Sequence, residues 1–387
     1  MSQTASASTN TDQDGAGSLR VMLVDDSVVI RGLLSRWLTE TPGIEVVSTQ
    51  RTGLGAIKDL EKSNPDVVVL DIEMPEMDGL TALPKLLEIK RDLVVIVAST
   101  LTQRNAEMSL RALSLGAKDY VPKPEGNHGI TTSIDFRREL IEKIKALGGA
   151  LRKRKGTPVR AFRAEQAAGA SKQASATASR LSLANSNLRP FSRIAPRILA
   201  IGSSTGGPQA LQEVFKAIAP AIGRTPVVLT QPMPATLTAI LADHIGKASG
   251  RPTGEAKDGA PLTAGNVYVA PGGKHMIIES KDGKPSIRLT DDPPINFCKP
   301  AVDPMFESVS KLYGAAVLSV VLTGMGSDGA KGAKIIADGG GTVIAQDETT
   351  SVVWGMPGAT AAIGACSAVL PLNEIGPKIN FLLGASR

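Results

Sequence analysis

Acidic side chains follow two apolar runs in the first third of the chain. Asp25 and Asp26 follow the run 21–24, and Asp71 follows the run 67–70. Carboxylates that share one crevice repel each other unless a divalent cation joins them, and oxygen ligands with open positions suit Mg²⁺. The spacing therefore predicts a magnesium site at which Asp71 can act as a nucleophile toward a phosphoryl group.

A hydroxyl and an ammonium group follow two later runs. Ser99 follows the apolar run 93–97, and Tyr120 begins a short run that leads to Lys123. Lys123 and the cation can neutralise charge on a transferred phosphoryl group. Ser99 can hydrogen-bond that group and move, and Tyr120 can change rotamer with it. Strand-end caps are the simpler alternative, but five such groups at successive strand ends favour one shared site.

A glycine-rich turn with serines reads GSSTGG over residues 202–207. Glycines permit a tight turn and a close approach of substrate to backbone amides. A serine in such a turn can present its hydroxyl above a sheet, next to amides that stabilise an oxyanion. The turn lacks the Lys and the Ser or Thr of a phosphate-binding loop, and the Rossmann glycine spacing is absent. A nucleophile site and a purely structural turn both remain open here.

A second glycine-rich turn reads TGMGSDG over residues 323–329 and follows the apolar run 316–322. Its Asp328 can orient a histidine base, as the third member of a catalytic triad does. The alternative role for an aspartate in such a turn is to cap a helix. The presence of both turns strengthens the hypothesis of a nucleophile site.

Both halves of the chain alternate short β-rich runs with helical patterns. Residues 27–40, for example, are amphipathic and begin with a serine suited to an N-cap. This alternation predicts α/β architecture with doubly wound, mostly parallel sheets in both halves. In a parallel sheet the carboxyl ends of neighbouring strands converge on one crevice, where ligands bind. The candidate residues are therefore expected to meet in two such crevices.

The length of 387 residues predicts two or three domains. The periodicity disappears after about residue 149, where Ala, Ser, Lys, Arg and Gln dominate, as is typical of a flexible linker. The expected organisation is a disordered tail (1–18), an N-terminal domain (19–148), a flexible linker (149–195) and a C-terminal domain (196–387).

Composition excludes several classes of function. The net charge of +6 is modest, its basic run 152–155 lies in the linker, and only 3% of residues are aromatic. A nucleic-acid partner is therefore not expected. The C-terminal domain lacks a helix-turn-helix pattern, which disfavours a transcription regulator. Two isolated cysteines, Cys298 and Cys366, indicate a reduced compartment. No signal peptide or bilayer-spanning run is found, so we expect a cytoplasmic protein without membrane insertion.

The N-terminal domain resembles a response-regulator receiver domain. The matching strings are VDDS (24–27), DIEMPEMDG (71–79), Ser99 and VPKP (121–124). The resemblance implies a flavodoxin-like, five-stranded parallel sheet with Asp71 as the phosphate acceptor. It also implies that Ser99, Tyr120 and Lys123 respond to phosphorylation by a chemotaxis histidine kinase.

The same resemblance implies a set of Mg²⁺ ligands. These are the carboxylates of Asp26 and Asp71 and the backbone carbonyl of Glu73, with Asp25 acting through a water molecule. The phosphorylation site would then be the place in the chain that needs a cofactor.

The C-terminal domain resembles the chemotaxis protein-glutamate methylesterase family (CheB-type), which also carries protein-glutamine deamidase activity. The matching strings are IGSSTGG (201–207), APGGKHM (270–276), PAVD (300–303), LTGMGSDG (322–329), AQDE (345–348) and VWGMP (353–357). The resemblance implies Ser204 as the nucleophile and Asp328 as the orienting acid, without a cofactor in the esterase site. The implied substrates are methylated glutamates on the cytoplasmic helices of chemoreceptors.

One position departs from the family pattern. The family has Gln-His-Met-Pro after the second strand of this domain, whereas residues 231–234 read QPMP. Pro232 has no side-chain proton acceptor and cannot deprotonate Ser204. In a well-studied serine protease, removal of the histidine costs on the order of 10⁶ in turnover. Histidine and proline codons can differ by one base, so a single change accounts for the substitution.

The chain has three histidines that could replace the missing base. His128 belongs to the N-terminal domain and is expected to be exposed, and His244 is expected on a helix surface. His275 belongs to the family pattern and is expected to keep its usual place near the site. Two functions therefore stay open, a phosphorylation-controlled methylesterase and a catalytically impaired, phosphorylation-regulated binding protein.

Overall fold

The computed structural model describes residues 17–100, 102–123, 130–156 and 188–384. The N-terminal domain has a five-stranded parallel sheet in the order β2-β1-β3-β4-β5. Its strands are β1 Leu19–Val24, β2 Ile44–Gln50, β3 Val67–Asp71, β4 Val94–Ser99 and β5 Asp119–Pro122. Its helices are α1 Val28–Thr39, α2 Gly53–Ser63, α3 Gly79–Ile89, α4 Gln103–Ser114 and α5 Ile130–Gly156.

Side-chain caps start the first four helices. Ser27, Thr52, Asp78 and Thr102 each accept a hydrogen bond from a backbone N–H of the first helical turn. Such caps satisfy donors that have no partner inside the helix. Strands β3 and β4 are buried along their whole length, which explains their continuous apolar runs. The predicted flavodoxin-like sheet is confirmed.

The C-terminal domain has a seven-stranded parallel sheet in the order β14-β13-β12-β6-β7-β9-β8 and an antiparallel hairpin, β10-β11. Its strands are β6 Ile198–Gly202, β7 Val227–Thr230, β8 Thr253–Glu255, β9 Val267–Val269, β10 His275–Lys281, β11 Lys284–Thr290, β12 Val317–Val321, β13 Thr342–Gln346 and β14 Ala368–Leu370. Its helices are α6 Gly207–Ile218, α7 Ala235–Ser249, α8 Val302–Tyr313, α9 Ala330–Asp338, α10 Met356–Ala362 and α11 Leu372–Gly384.

The register of three central strands aligns their carboxyl ends. Gly202 at the end of β6 pairs with Thr230 of β7 on one side and with Val321 of β12 on the other. The serine turn, the loop 231–234 and the turn 323–329 therefore leave the sheet at the same edge. This is the edge at which parallel α/β sheets bind ligands.

The ends of the expected linker have defined structure. Helix α5 continues to Gly156, past residue 149, where the linker was expected to begin. At the other end, Arg189 forms an ion pair with Asp338 of α9, and its backbone N–H donates to the carbonyl of Cys366. These contacts hold that end of the segment against the C-terminal domain. The tail up to residue 16, residues 157–187 of the linker and His128 lie outside the described residues.

Helices of the two domains pack against each other. Helix α4 lies against α7 and α6, and the side-chain amide of Gln209 donates to the carbonyls of Leu113 and Ala117 at the end of α4. The guanidinium of Arg138 on α5 lies 3.9 Å from the ring centre of Phe297. Val353 joins the buried cluster formed by α5 and the N-terminal sheet, and Met325 packs on that cluster. Helix α5 therefore covers the loops that follow β12 and β13.

Among the described residues, no helix combines the length and the apolar character that spanning a bilayer would require.

Candidate phosphoacceptor and active sites

Three carboxylates meet at the carboxyl edge of the N-terminal sheet. Asp25 and Asp71 are buried and Asp26 is exposed, and one oxygen of each lies within 4.8 Å of the others. The ammonium of Lys123 lies 2.6 Å from an oxygen of Asp25 and 2.8 Å from an oxygen of Asp71. The structure thus brings together the four charged residues that the sequence placed in one crevice.

Burial dominates the electrostatics of Asp71. Loss of hydration raises the pKa of its carboxyl group to about 6, although the Lys123 ammonium acts in the opposite direction. The donor set fits a divalent cation, because clustered carboxylate oxygens are the hard ligands that Mg²⁺ takes. With Asp26 partly open to solvent, water and phosphoryl oxygens can complete the shell.

Ser99 and Tyr120 connect this crevice to α4 and α5. The hydroxyl of Ser99 lies 3.1 Å from that of Ser109 on α4. Tyr120 is buried, which raises the pKa of its phenol well above the usual value, and its carbonyl accepts from Lys143 of α5 at 2.7 Å. Both residues therefore contact helices that also pack on the C-terminal domain.

Main-chain hydrogen bonds fix Ser204 in its turn. Its N–H donates to the carbonyl of Thr323 at 3.0 Å, and its carbonyl accepts from Gly207 at 2.7 Å. Gly206, at the start of α6, has a φ of +76°, a left-handed conformation that favours glycine. A Cβ atom on Gly206 would lie 2.6 Å from Cβ of Val352. Ser204 itself is partly exposed at the amino end of α6.

The turn after β12 lies directly against the serine turn. A Cβ atom on Gly324 would lie 3.0 Å from Cβ of Ser204 and 2.2 Å from Sδ of Met356. No side chain fits at this position, so glycine permits the close approach. The two glycine-rich turns therefore lie in direct contact.

Asp328 is buried at the amino end of α8. One carboxylate oxygen accepts from the N–H of Val302 at 2.7 Å and the other from that of Asp303 at 3.0 Å. Burial raises the pKa of Asp328 to about 6, and these hydrogen bonds act in the opposite direction. Asp328 thus also has the capping role that the sequence left open, and the helix it caps is α8.

The two histidines of the C-terminal domain lie in different surroundings. Nδ1 of the buried His275 accepts from the N–H of Ala301 at 3.1 Å, so Nε2 carries the proton and donates to the carbonyl of Pro293 at 3.1 Å. With both nitrogens engaged, His275 supports the fold and is not a free base. His244 is half-buried on α7, where burial lowers its pKa and Glu107 of α4 opposes the effect. Pro232 lies in the loop after β7.

The fold and the two sites define a receiver domain joined to an α/β domain of the serine-hydrolase type. Residues 21–135 match the response regulator receiver domain family, and residues 199–379 match the CheB methylesterase family.

Curated relatives extend over the whole chain. A protein-glutamate methylesterase/protein-glutamine glutaminase of group 2 operon from Bradyrhizobium diazoefficiens is 53% identical over 99% of this chain and 98% of its own length. A relative of the same name from Rhodopseudomonas palustris is 55% identical over 95% of both chains. The chain belongs to the CheB family of receiver-linked protein-glutamate methylesterases/protein-glutamine glutaminases.

Proposed function

We propose that this protein is a phosphorylation-controlled hydrolase of glutamate methyl esters, and of glutamine side chains, on the cytoplasmic helices of chemoreceptors. The observation that carries the proposal is the contact between the serine turn and the turn that bears Asp328. Ser204 is the nucleophile, and full turnover requires a histidine at position 232.

The reaction follows from the groups at the turn. Ser204 Oγ attacks the γ-carbonyl of the ester while a base takes its proton, and methanol leaves with that proton. Water then hydrolyses the acyl-serine to the glutamate and restores the hydroxyl. For a glutamine side chain, ammonia leaves in place of methanol. Backbone N–H groups at the start of α6 would stabilise the oxyanion.

The base is the missing component. Position 232 holds proline, and the nitrogens of His275 are both engaged by the backbone. We therefore expect the chain as written to turn over slowly, with a loss on the order of 10⁶ relative to a complete triad. The same observations favour a second candidate, a phosphorylation-regulated protein that binds receptor helices without cleaving them.

Control comes from the receiver domain. Helix α4 packs on helices of the C-terminal domain, and Arg138 of α5 lies over the ring of Phe297. Helix α4 contacts Ser99, and α5 contacts Tyr120. A phosphoryl group on Asp71 adds one to two negative charges beside Lys123. Inverting a 1:99 ratio of open to closed forms needs ~5.5 kcal/mol, of which these charges can supply a substantial part.

Phosphorylation at Asp71 would use a bound Mg²⁺. Asp26, Asp71 and the backbone carbonyl of Glu73 would hold the ion, with Asp25 acting through water, and the ion would neutralise charge on the phosphoryl oxygens. Lys123 would contact the same oxygens. The phosphodonor would be a chemotaxis histidine kinase in the cytoplasm.

Methanol release from methylated receptor membranes tests the proposal. The chain as written is compared with Pro232→His, each with and without a small phosphodonor, and with Ser204→Ala in the Pro232→His background as control. We expect release only from Pro232→His, increased by the phosphodonor and abolished by Ser204→Ala. Receptor binding by the unsubstituted chain, with no release from Pro232→His, would instead support the binding protein.

A further inference from the structure

We propose that Gln231 is a positioning residue for the reaction at Ser204. Its side-chain amide holds the turn that carries Ser204 at a fixed position relative to residue 232, where the proposed mechanism needs a base. This inference rests on the proposed role of Ser204, and it assigns a function to a residue that does not itself take part in bond making.

Strand pairing places Gln231 beside the serine turn. Gly202 and Thr230 are partners at the ends of β6 and β7, and the N–H of Ser203 donates to the carbonyl of Thr230 at 3.1 Å. Gln231 therefore follows β7 at the level at which Ser203 follows β6. It also directly precedes Pro232 in the chain.

Both ends of the Gln231 amide are engaged. Its Nε2 donates to the carbonyl of Ser204 at 3.0 Å, and its Oε1 accepts from the hydroxyl of Ser203 at 2.7 Å. A carbonyl can only accept, so the NH₂ group must face Ser204, and Ser203 must donate to the remaining oxygen. Gln231 is 3% exposed and Ser203 is fully buried, so water does not compete for these bonds.

A side chain at position 207 would clash with the Gln231 amide. A Cβ atom on Gly207 would lie 2.0 Å from Oε1 of Gln231. The N–H of Gly207 donates to the same Ser204 carbonyl that Gln231 contacts. Two donors therefore hold this carbonyl, the N–H of Gly207 and the side-chain amide of Gln231. Gln231 directly precedes position 232, where the proposed base belongs.

Loss of this donor is expected to affect turnover more than binding. Gln231 is buried beneath the turn and contacts the backbone of Ser204, so its removal leaves the partly exposed substrate-facing surface unchanged. Without the Gln231 donor, the Ser204 carbonyl keeps only the N–H of Gly207. The nucleophile can then shift relative to residue 232, and a misplacement of about 1 Å can cost on the order of 10² in rate.

Gln231→Glu in the full-length Pro232→His chain distinguishes the effects of the two hydrogen bonds. The substitution keeps the shape and the acceptor for Ser203 but removes the donor to Ser204. We expect kcat to fall about 100-fold with KM changed by less than about twofold. Ser203→Ala is the matched comparison, because it removes only the bond at the other end of the amide, and its kcat should fall by less than about tenfold.

A pH profile distinguishes positioning from general packing. Burial raises the pKa of a carboxyl group, and once protonated the introduced carboxyl can donate to the Ser204 carbonyl. The kcat of Gln231→Glu, relative to the parent Pro232→His chain, should therefore recover about 10-fold as the pH falls from 8 to 5.5. Gln231→Ala has no donor at any pH and should show no recovery.

Amide hydrogen exchange over residues 203–207 provides a readout that does not depend on turnover. It is measured in the chain that keeps Pro232. At pH 8, Gln231→Glu should accelerate exchange about fivefold or more relative to Ser203→Ala. Faster exchange together with an inactive Pro232→His chain would reject the proposed hydrolase function but retain the contact. Unchanged exchange, an unchanged kcat or equal effects of Gln231→Glu and Ser203→Ala would each overturn the positioning role.

Discussion

Each of the two sites contains a buried carboxylate, but different groups stabilise its negative charge. Burial raises the pKa of Asp71 and that of Asp328 each to about 6. Asp71 faces the ammonium of Lys123, whereas Asp328 accepts two backbone N–H groups of α8. The receiver crevice brings four charged side chains together, whereas the C-terminal domain has proline at position 232, where the proposed mechanism needs a base. The packing of the two glycine-rich turns therefore does not depend on a histidine at position 232.

The largest expected effect is on phosphate incorporation at the receiver crevice. Asp71→Asn removes the proposed phosphate acceptor while keeping the shape of the side chain, so incorporation of phosphate from a small phosphodonor should fall to background. Incorporation is measured on the intact chain by mass spectrometry, with Asp26→Asn as a control that weakens metal binding but keeps the acceptor. Stable incorporation in Asp71→Asn would show that another residue accepts the phosphoryl group.

The raised pKa values predict a pH dependence of stability. A folded-state pKa above the unfolded value of about 3.8 means that the folded protein binds the proton more tightly. The free energy of unfolding should therefore fall as the pH rises from about 4 to 6, by up to about 3 kcal/mol for each group. Denaturant unfolding of Asp71→Asn should show a shallower slope over this window. An identical slope would contradict the assignment of the raised pKa to Asp71.

Substitution of His275 tests whether the C-terminal domain contains a second base for the reaction at Ser204. His275→Asn removes one of two buried backbone contacts, and we expect a loss of about 1–3 kcal/mol in the free energy of unfolding. In the Pro232→His background, the kcat of the folded protein should change little. A loss of kcat as large as that caused by Ser204→Ala would identify His275 as a participant in the chemistry.

The smallest effect concerns the contact between the domains. Gln209→Ala removes the two hydrogen bonds to the end of α4, with an expected cost of about 1 kcal/mol to the packed arrangement. Basal methanol release by Pro232→His should then rise about fivefold without a phosphodonor. Lys216→Ala, on the same helix, is the control. An unchanged basal rate would show that this contact does not restrain the enzyme.

Apolar runs predicted the central strands, because β3, β4, β6, β7 and β12 are buried along their whole length. Strand β2 is half-exposed and β8 has three residues, so neither has a continuous apolar run. The hairpin β10-β11 was missed although Asp282 and Gly283, both with positive φ, form a dipeptide typical of tight hairpin turns.

The candidate site was predictable in its residue types but not in its supporting contacts. Ser204 and Asp328 were found from glycine-rich turns and a family resemblance. The role of Gln231 depends on the register of β6 and β7, which places Gly202 opposite Thr230. Nothing in a single sequence specifies that register, although the position next to the family's histidine was a signal. The capping of α8 by Asp328 likewise joins distant segments.

The most direct test of the central claim is detection of the covalent intermediate at Ser204. Pro232→His is mixed with methylated receptor membranes, quenched rapidly in acid, and analysed for an ester that links the receptor glutamate to the enzyme. We expect a conjugate at Ser204 that hydroxylamine cleaves and that is absent from Ser204→Ala. Methanol release without such a conjugate, or with a conjugate on another residue, would contradict the account.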